Sequence, residues 1–225
     1  MKLYELMYEC LNTEYTNTGR KSSYALRRKC DTLYIFFEHS NGRADWIKNL
    51  NFPAKPYRRM EQATWYAHRG FLTAWRDVEK AISAYIMDKR INKIITVGYS
   101  HGAAIALLCH EYVWFNRPEL RETLSGVGFG CPRVIWGRPQ ADFLHRFDRF
   151  TVVRNLDDIV THLPPAFLGY IHVGKLLTVG KAGKYTKFQA HYPENILTEL
   201  KNYDECAQTG SMGDLHISFG KKCRI

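Results

Sequence analysis

A serine hydroxyl is a poor nucleophile at neutral pH. It becomes a good one when a neutral imidazole takes its proton and a carboxylate holds that imidazole in the right tautomer. The pentapeptide Gly98-Tyr99-Ser100-His101-Gly102 offers a serine for such chemistry. It follows an apolar run at 94–98 (IITVG) with strand character and precedes the Ala-rich stretch at 103–115 (AAIALLCHEYVWF), whose helix propensity ends before Pro118. A strand that reverses into a helix at Ser100 puts the serine on a sharp turn, and the flanking glycines let the two elements approach each other. The helix aims its positive end and free N–H groups at the same spot, which suits a developing oxyanion, with the His101 backbone N–H as the first donor. G-x-S-x-G alone also fits a plain glycine-rich turn; the strand before it and the helix after it favour the nucleophile.

A base and an acid should follow in the order serine, acid, histidine. Asp157 and Asp158 both lie just past an apolar strand at 150–154, and because neighbours face opposite ways only one of them can aim at an imidazole. Beyond them stand His162, His172, His191 and His216. His162 is too close to the acid in the same loop, and His172 lies in an apolar strand at 170–179, where a satisfied structural role is the usual one. His191 precedes Pro193 and ENILTELKNY, a helix that packs Ile196, Leu197 and Leu200, so it sits on a loop between the last strand and that helix. His191 is the preferred base and His216 stays open. His101, adjacent to the serine on the turn, is expected to point elsewhere.

The elements that must hold these groups alternate. Residues 22–28 and 32–37 read as two short strands around a turn at Cys30 and Asp31. From Arg69 to Lys89 the residues Phe71, Trp75, Val78, Ile82, Tyr85 and Ile86 recur at helical spacing. Further strands are expected at 126–130, 150–154 and 170–179, with a helix around 139–147. The pattern predicts an α/β chain with a mixed, mostly parallel central sheet, antiparallel opening strands and helices on both faces.

With 225 residues, 45% of them hydrophobic, the chain fits one domain over residues 1–225 and excludes disorder. Its 32 Lys and Arg against 22 Asp and Glu give a net charge of +10, which suits anionic lipid interfaces as well as plain solubility. The basic residues follow no recognition-helix or zinc-finger pattern, so nucleic acid is not an expected partner. Six dispersed cysteines without a Cys-x-x-Cys pair predict free thiols. The opening MKLYELMYECLNTEY carries Glu5 and Glu9 where a leader would be apolar, and no apolar run reaches membrane-span length, so a cytoplasmic location is expected.

Five motifs in order give the chain a resemblance, over about residues 32–203, to the class 3 lipases, serine hydrolases of the α/β-hydrolase type. Phe37-Glu38-His39-Ser40 with Asp45-Trp46-Ile47-Lys48-Asn49-Leu50 resembles F-R-G-[ST] and D-W-x-x-[DN]-L, and His68-Arg69-Gly70-Phe71 resembles H-x-G-F. Gly98 to Gly102 is the serine turn, Phe129-Gly130-Cys131-Pro132-Arg133 is similar to F-G-x-P-R, and Asp158 to Pro165 is similar to D-x-V-P-x-L-P-P. The resemblance implies Ser100 as nucleophile, Asp158 as the acid, and Ser40 as second oxyanion donor opposite the His101 N–H. His191, with a helix behind it, is similar to the base of compact bacterial members, whereas Asp214-Leu215-His216 resembles the corresponding stretch of fungal lipases. Glu38 and His39 replace the family's usual Arg and Gly, and Tyr99 and His101 replace the commoner His and Leu, changes expected to alter pocket lining more than chemistry.

The implied activity is ester hydrolysis through an acyl-enzyme, on an ester or lipid substrate. No metal or organic cofactor is expected: the nine histidines form no His-Glu-x-x-His, and no Cys and His set has zinc-site spacing. Trp46, Phe52, Trp65 and Tyr66 either line an acyl pocket or belong to the core. Two alternatives remain at this level: a phospholipase or thioesterase, and a weakly catalytic binding protein on a hydrolase scaffold that uses its basic surface for anionic lipid or nucleic acid. The sequence leaves the oligomeric state open.

Overall fold

The computed structural model describes residues 2–18, 22–39, 53–60 and 63–209. Ser40, the motif at 45–50, Trp46, Phe52 and His216 lie outside the described residues. The expected hairpin is β2 (Ser23–Lys29) and β3 (Thr32–Phe37), antiparallel, with Cys30 at φ +56° in the turn. A two-residue strand β1 (Thr16–Asn17) pairs with β2 on the outer edge.

From β3 the sheet continues in parallel through β6 (Lys93–Tyr99), β7 (Ser125–Phe129), β9 (Phe150–Asn155) and β11 (Lys175–Val179). The order β1-β2-β3-β6-β7-β9-β11 is the mixed, mostly parallel sheet the pattern predicts. Among the described residues, four long helices and a short one flank it: α1 (Leu3–Asn12), α2 (Arg69–Ile86), α3 (His101–Asn116), the short α4 (Ala141–His145) and α5 (Pro193–Thr209).

Period-two alternation divides the core into two layers. Leu33, Ile35 and Phe37 of β3 pack with the α2 and α3 side chains, whereas Phe36 joins Leu6, Met7, Ile196 and Leu200 of α1 and α5. Each of these aliphatic or aromatic side chains contributes roughly 1.5–3 kcal/mol on burial. Helix α3 is buried from Gly102 through Glu111 without a polar face, as a helix wedged between sheet and helices must be. Helix α2 buries Phe71, Trp75, Val78, Ile82 and Ile86 as expected, but Tyr85 is exposed: its turn lies at the rim of the apolar stripe.

Two features correct the sequence reading. The single strand expected at 170–179 is two: β10 (Tyr170–Ile171) and β11, parted at Gly174 (φ +88°) and placed in different sheets. A second, antiparallel sheet, β10-β8-β5-β4, joins β10 to β8 (Ile135–Trp136), β5 (Ala63–His68) and β4 (Ala54–Met60). Among the described residues no helix is long and apolar enough to cross a membrane.

Candidate active site

Strand β6 ends at Tyr99, and Ser100 reverses the chain into α3 with φ +56° and ψ −120°. A serine in this backbone region is strained, and its surroundings hold it there. The Ser100 N–H donates to the Phe129 carbonyl at 2.8 Å, tying the turn to the end of β7. A Cβ on Gly98 would stand 2.2 Å from the Gly102 carbonyl oxygen, and one on Gly102 would stand 2.2 Å from that of Phe37. The glycines therefore let α3 start directly against the ends of β3 and β6, as the sequence implies.

The histidine that reaches Ser100 is His191, on a 3-10 turn (Gln189–His191) just before α5. Its Nε2 lies 2.8 Å from Ser100 Oγ, and its Nδ1 lies 2.8 Å from Asp158 Oδ2. A carboxylate only accepts, so Nδ1 carries the proton and Nε2 is left as the acceptor for the serine O–H. That is the tautomer a base needs. His191 is anchored through its main chain as well. The Asn155 side-chain amide donates to the Ala190 carbonyl at 2.9 Å, and the Tyr99 hydroxyl donates to the His191 carbonyl at 2.6 Å.

Asp158 is fully buried at the start of a 3-10 turn (Ile159–His162) that follows β9. Its Oδ1 accepts from the Val160 N–H at 2.8 Å, which leaves Oδ2 for the imidazole. Asp157 faces the other way and accepts from the Gly183 N–H at 2.7 Å, a loop-capping role. His172 donates from Nε2 to the Thr161 carbonyl at 2.6 Å, and burial lowers its pKa to about 4, the behaviour of a structural histidine. Burial, with Arg154 and Arg133 nearby, also holds His162 below the ordinary histidine range. His101 packs its ring against Phe71 with centroids 5.6 Å apart, and burial together with His68 brings it to about 4.

Two residues at the site carry roles that the sequence reading did not assign. Tyr99 lays its ring along the His191 imidazole, with centroids 5.2 Å apart and planes 28° from parallel. Strand alternation is the reason: Tyr99 falls on the α1 and α5 face of the sheet, the side from which His191 enters. Gly130, just past β7, has φ +56°, and a Cβ there would meet His191 Cε1 at 2.7 Å and Asp158 Oδ2 at 3.1 Å. The F-G-x-P-R motif contained this glycine, but only the fold shows what its missing side chain makes room for.

Trp65 belongs to the core, 8% exposed, with its ring edge-on to Phe143 and the Arg146 guanidinium 4.4 Å above it. Cys10, Cys30, Cys109 and Cys131 are free thiols, and burial raises the pKa of Cys10, Cys109 and Cys131.

A family model for lipase (class 3) matches residues 34–168, a segment that holds Ser100 and Asp158 and ends before His191. The lipase of Rhizomucor miehei is 33% identical over 153 residues, 64% of this chain and 40% of that protein. A structure of the Rhizomucor miehei triacylglyceride lipase aligns with a TM-score of 0.61 at 27% identity, covering 71% of this chain and 62% of that one. A fungal lipase solved as an inhibitor complex aligns with a TM-score of 0.66 at 23% identity, covering 83% and 81%. The aligned segment thus spans 40% of the length of the curated relatives it matches. The fold shared with these solved structures is that of the α/β-hydrolases.

Proposed function

Because this chain belongs to the class 3 lipase family, we propose that it is a carboxylic ester hydrolase of lipase or esterase type that works through an acyl-enzyme on Ser100. The observation that carries this reading is the unbroken hydrogen-bonded chain from Ser100 Oγ through His191 to Asp158, with both links at 2.8 Å. It stands on a serine whose strained turn opens a helix.

In this mechanism Ser100 Oγ attacks the ester carbonyl and its proton passes to His191 Nε2. The buried Asp158 carboxylate stabilises the imidazolium that forms and keeps the ring oriented. The carbonyl oxygen, now negative, is held by the His101 N–H at the start of α3 and by the Ser40 N–H, the donor that the family pattern assigns. Loss of one such donor typically costs 10²–10³ in turnover. The tetrahedral intermediate collapses, the C–O bond to the alcohol breaks, and His191 returns its proton to the leaving oxygen. Water then attacks the acyl-enzyme with the same base, and Ser100 is regenerated. Esters of lipids are the leading substrate class, and the net charge of +10 would favour approach to anionic lipid interfaces.

The test is labelling by a fluorophosphonate, alongside turnover of p-nitrophenyl esters of graded chain length, for wild type, S100A, H191A and H216A. Wild type should label and turn over, S100A should do neither, and H191A should lose about 10³-fold or more of both. H216A should match wild type. Loss of labelling in H216A rather than H191A would move the base to His216. Absence of labelling and turnover in wild type, with salt-sensitive lipid binding that survives S100A, would replace the enzyme with a binding protein.

A further inference from the structure

We propose that Tyr99 is a positioning residue for the general base, clamping His191 at once by its main chain and by its ring. The proposal rests on the reading of His191 as base and adds a residue to that machinery. Tyr99 is the last residue of β6, 5% exposed, and the very next residue is the strained Ser100. Its hydroxyl donates to the His191 carbonyl at 2.6 Å, while its ring lies 28° from parallel to the imidazole at 5.2 Å.

The two contacts constrain different degrees of freedom. The hydrogen bond to the carbonyl fixes the backbone from which the imidazole hangs. The ring contact limits rotation about the side-chain bonds, and Asp158 Oδ2 completes the restraint from Nδ1. Nucleophile and base are thereby referred to one rigid strand end, although they lie 91 residues apart in sequence. The Asn155 amide on the Ala190 carbonyl supplies a second tether from β9, the strand that leads to Asp158. An aromatic face within about 6 Å of a cation also attracts it, so the ring gains interaction energy when the imidazole takes the serine proton. A histidine, the commoner family residue before the nucleophile, brings no hydroxyl to that carbonyl.

Y99F removes the O–H and keeps the ring. Misplacing a reacting group by even about 1 Å costs on the order of a hundredfold, so kcat on a p-nitrophenyl ester should fall about ten- to a hundredfold. KM should stay within about twofold. In the proton NMR spectrum, the low-field signal of the proton between His191 and Asp158 should broaden in Y99F and stay sharp in wild type. H191A, measured in parallel, separates the two readings. If H191A is inactive while Y99F keeps wild-type kcat and a sharp signal, the clamp is refuted and the base stands. If H191A retains full activity, the base assignment fails and the clamp with it. A raised KM with unchanged kcat would make Tyr99 a substrate contact and overturn the proposal. Should Y99F fail to fold, Y99H, which keeps a ring without the hydroxyl, reads the same kcat loss, and wild-type turnover in that variant would refute the clamp.

Discussion

A methyl group at Gly130 would collide with the imidazole of His191 and press on the carboxylate of Asp158, and would sit on a backbone at φ +56° that side chains rarely adopt. G130A should therefore lose stability by about 1–3 kcal/mol through strain and lose turnover about a hundredfold or more through displacement of the ring. Urea denaturation and p-nitrophenyl ester kinetics on the purified variant measure the two effects separately. Full turnover in G130A would mean that His191 has slack to absorb the clash. At this scale the sequence is unevenly informative. Ser100 and Asp158 stand out because their signals are local, a turn between two elements and a motif after a strand. Whether His191 or His216 serves as base depends on which loop returns to the end of β6, a tertiary fact. The side to which Tyr99 points becomes readable only once the strand's two faces are known.

Elements were legible where their apolar period was clean. The hairpin β2–β3, helix α2 and the β6–turn–α3 unit all fall within a few residues of their expected positions. Helix α1 is harder to read, although Leu3, Leu6, Met7, Cys10 and Leu11 carry helical spacing, because its apolar side is completed only by α5 and the sheet. Strand β4 was hidden by Pro56 and its basic residues, which mark an edge strand rather than a central one. Packing between elements also sets an energetic expectation. On the buried helix α3, Glu111 Oε1 pairs with Arg146 at 2.7 Å, and that guanidinium lies 4.4 Å over Trp65 of β5, so one cation joins the helix to the second sheet. E111A would remove the buried carboxylate that faces this cation and should cost about 3–5 kcal/mol, read as a lowered urea midpoint. The double variant E111L/R146M should recover most of that loss. A stability loss below about 1 kcal/mol for E111A, from the midpoint and slope together, would show that water reaches the guanidinium, by the usual worth of an exposed pair.

Over the whole molecule, buried histidines tie stability to pH. Burial lowers His110 to about 4, and its Nε2–H donates to the Arg146 carbonyl at 3.1 Å. His101 and His172 are lowered to about 4 for the same reason, whereas an unfolded histidine titrates near 6.5. Between these values the unfolded chain binds more protons than the folded one, so stability rises with pH across that window. The contribution is complete above about pH 6.5 and is lost progressively as the pH falls toward about 4. Tm should fall steadily through that interval, and H110Q, which retains a donor for the Arg146 carbonyl, should show a shallower decline. Parallel curves for the two proteins would remove His110 from the account.

His191 is held largely by bonds to two peptide oxygens, its own and that of Ala190. Every amino acid supplies such an oxygen, so these grips make no demand on the side chains of the segment that delivers the ring. Between β11 and the 3-10 turn the demand falls instead on Gly180, at φ +83°, where a Cβ would stand 2.4 Å from Asn155 Oδ1 and displace the amide that grips Ala190.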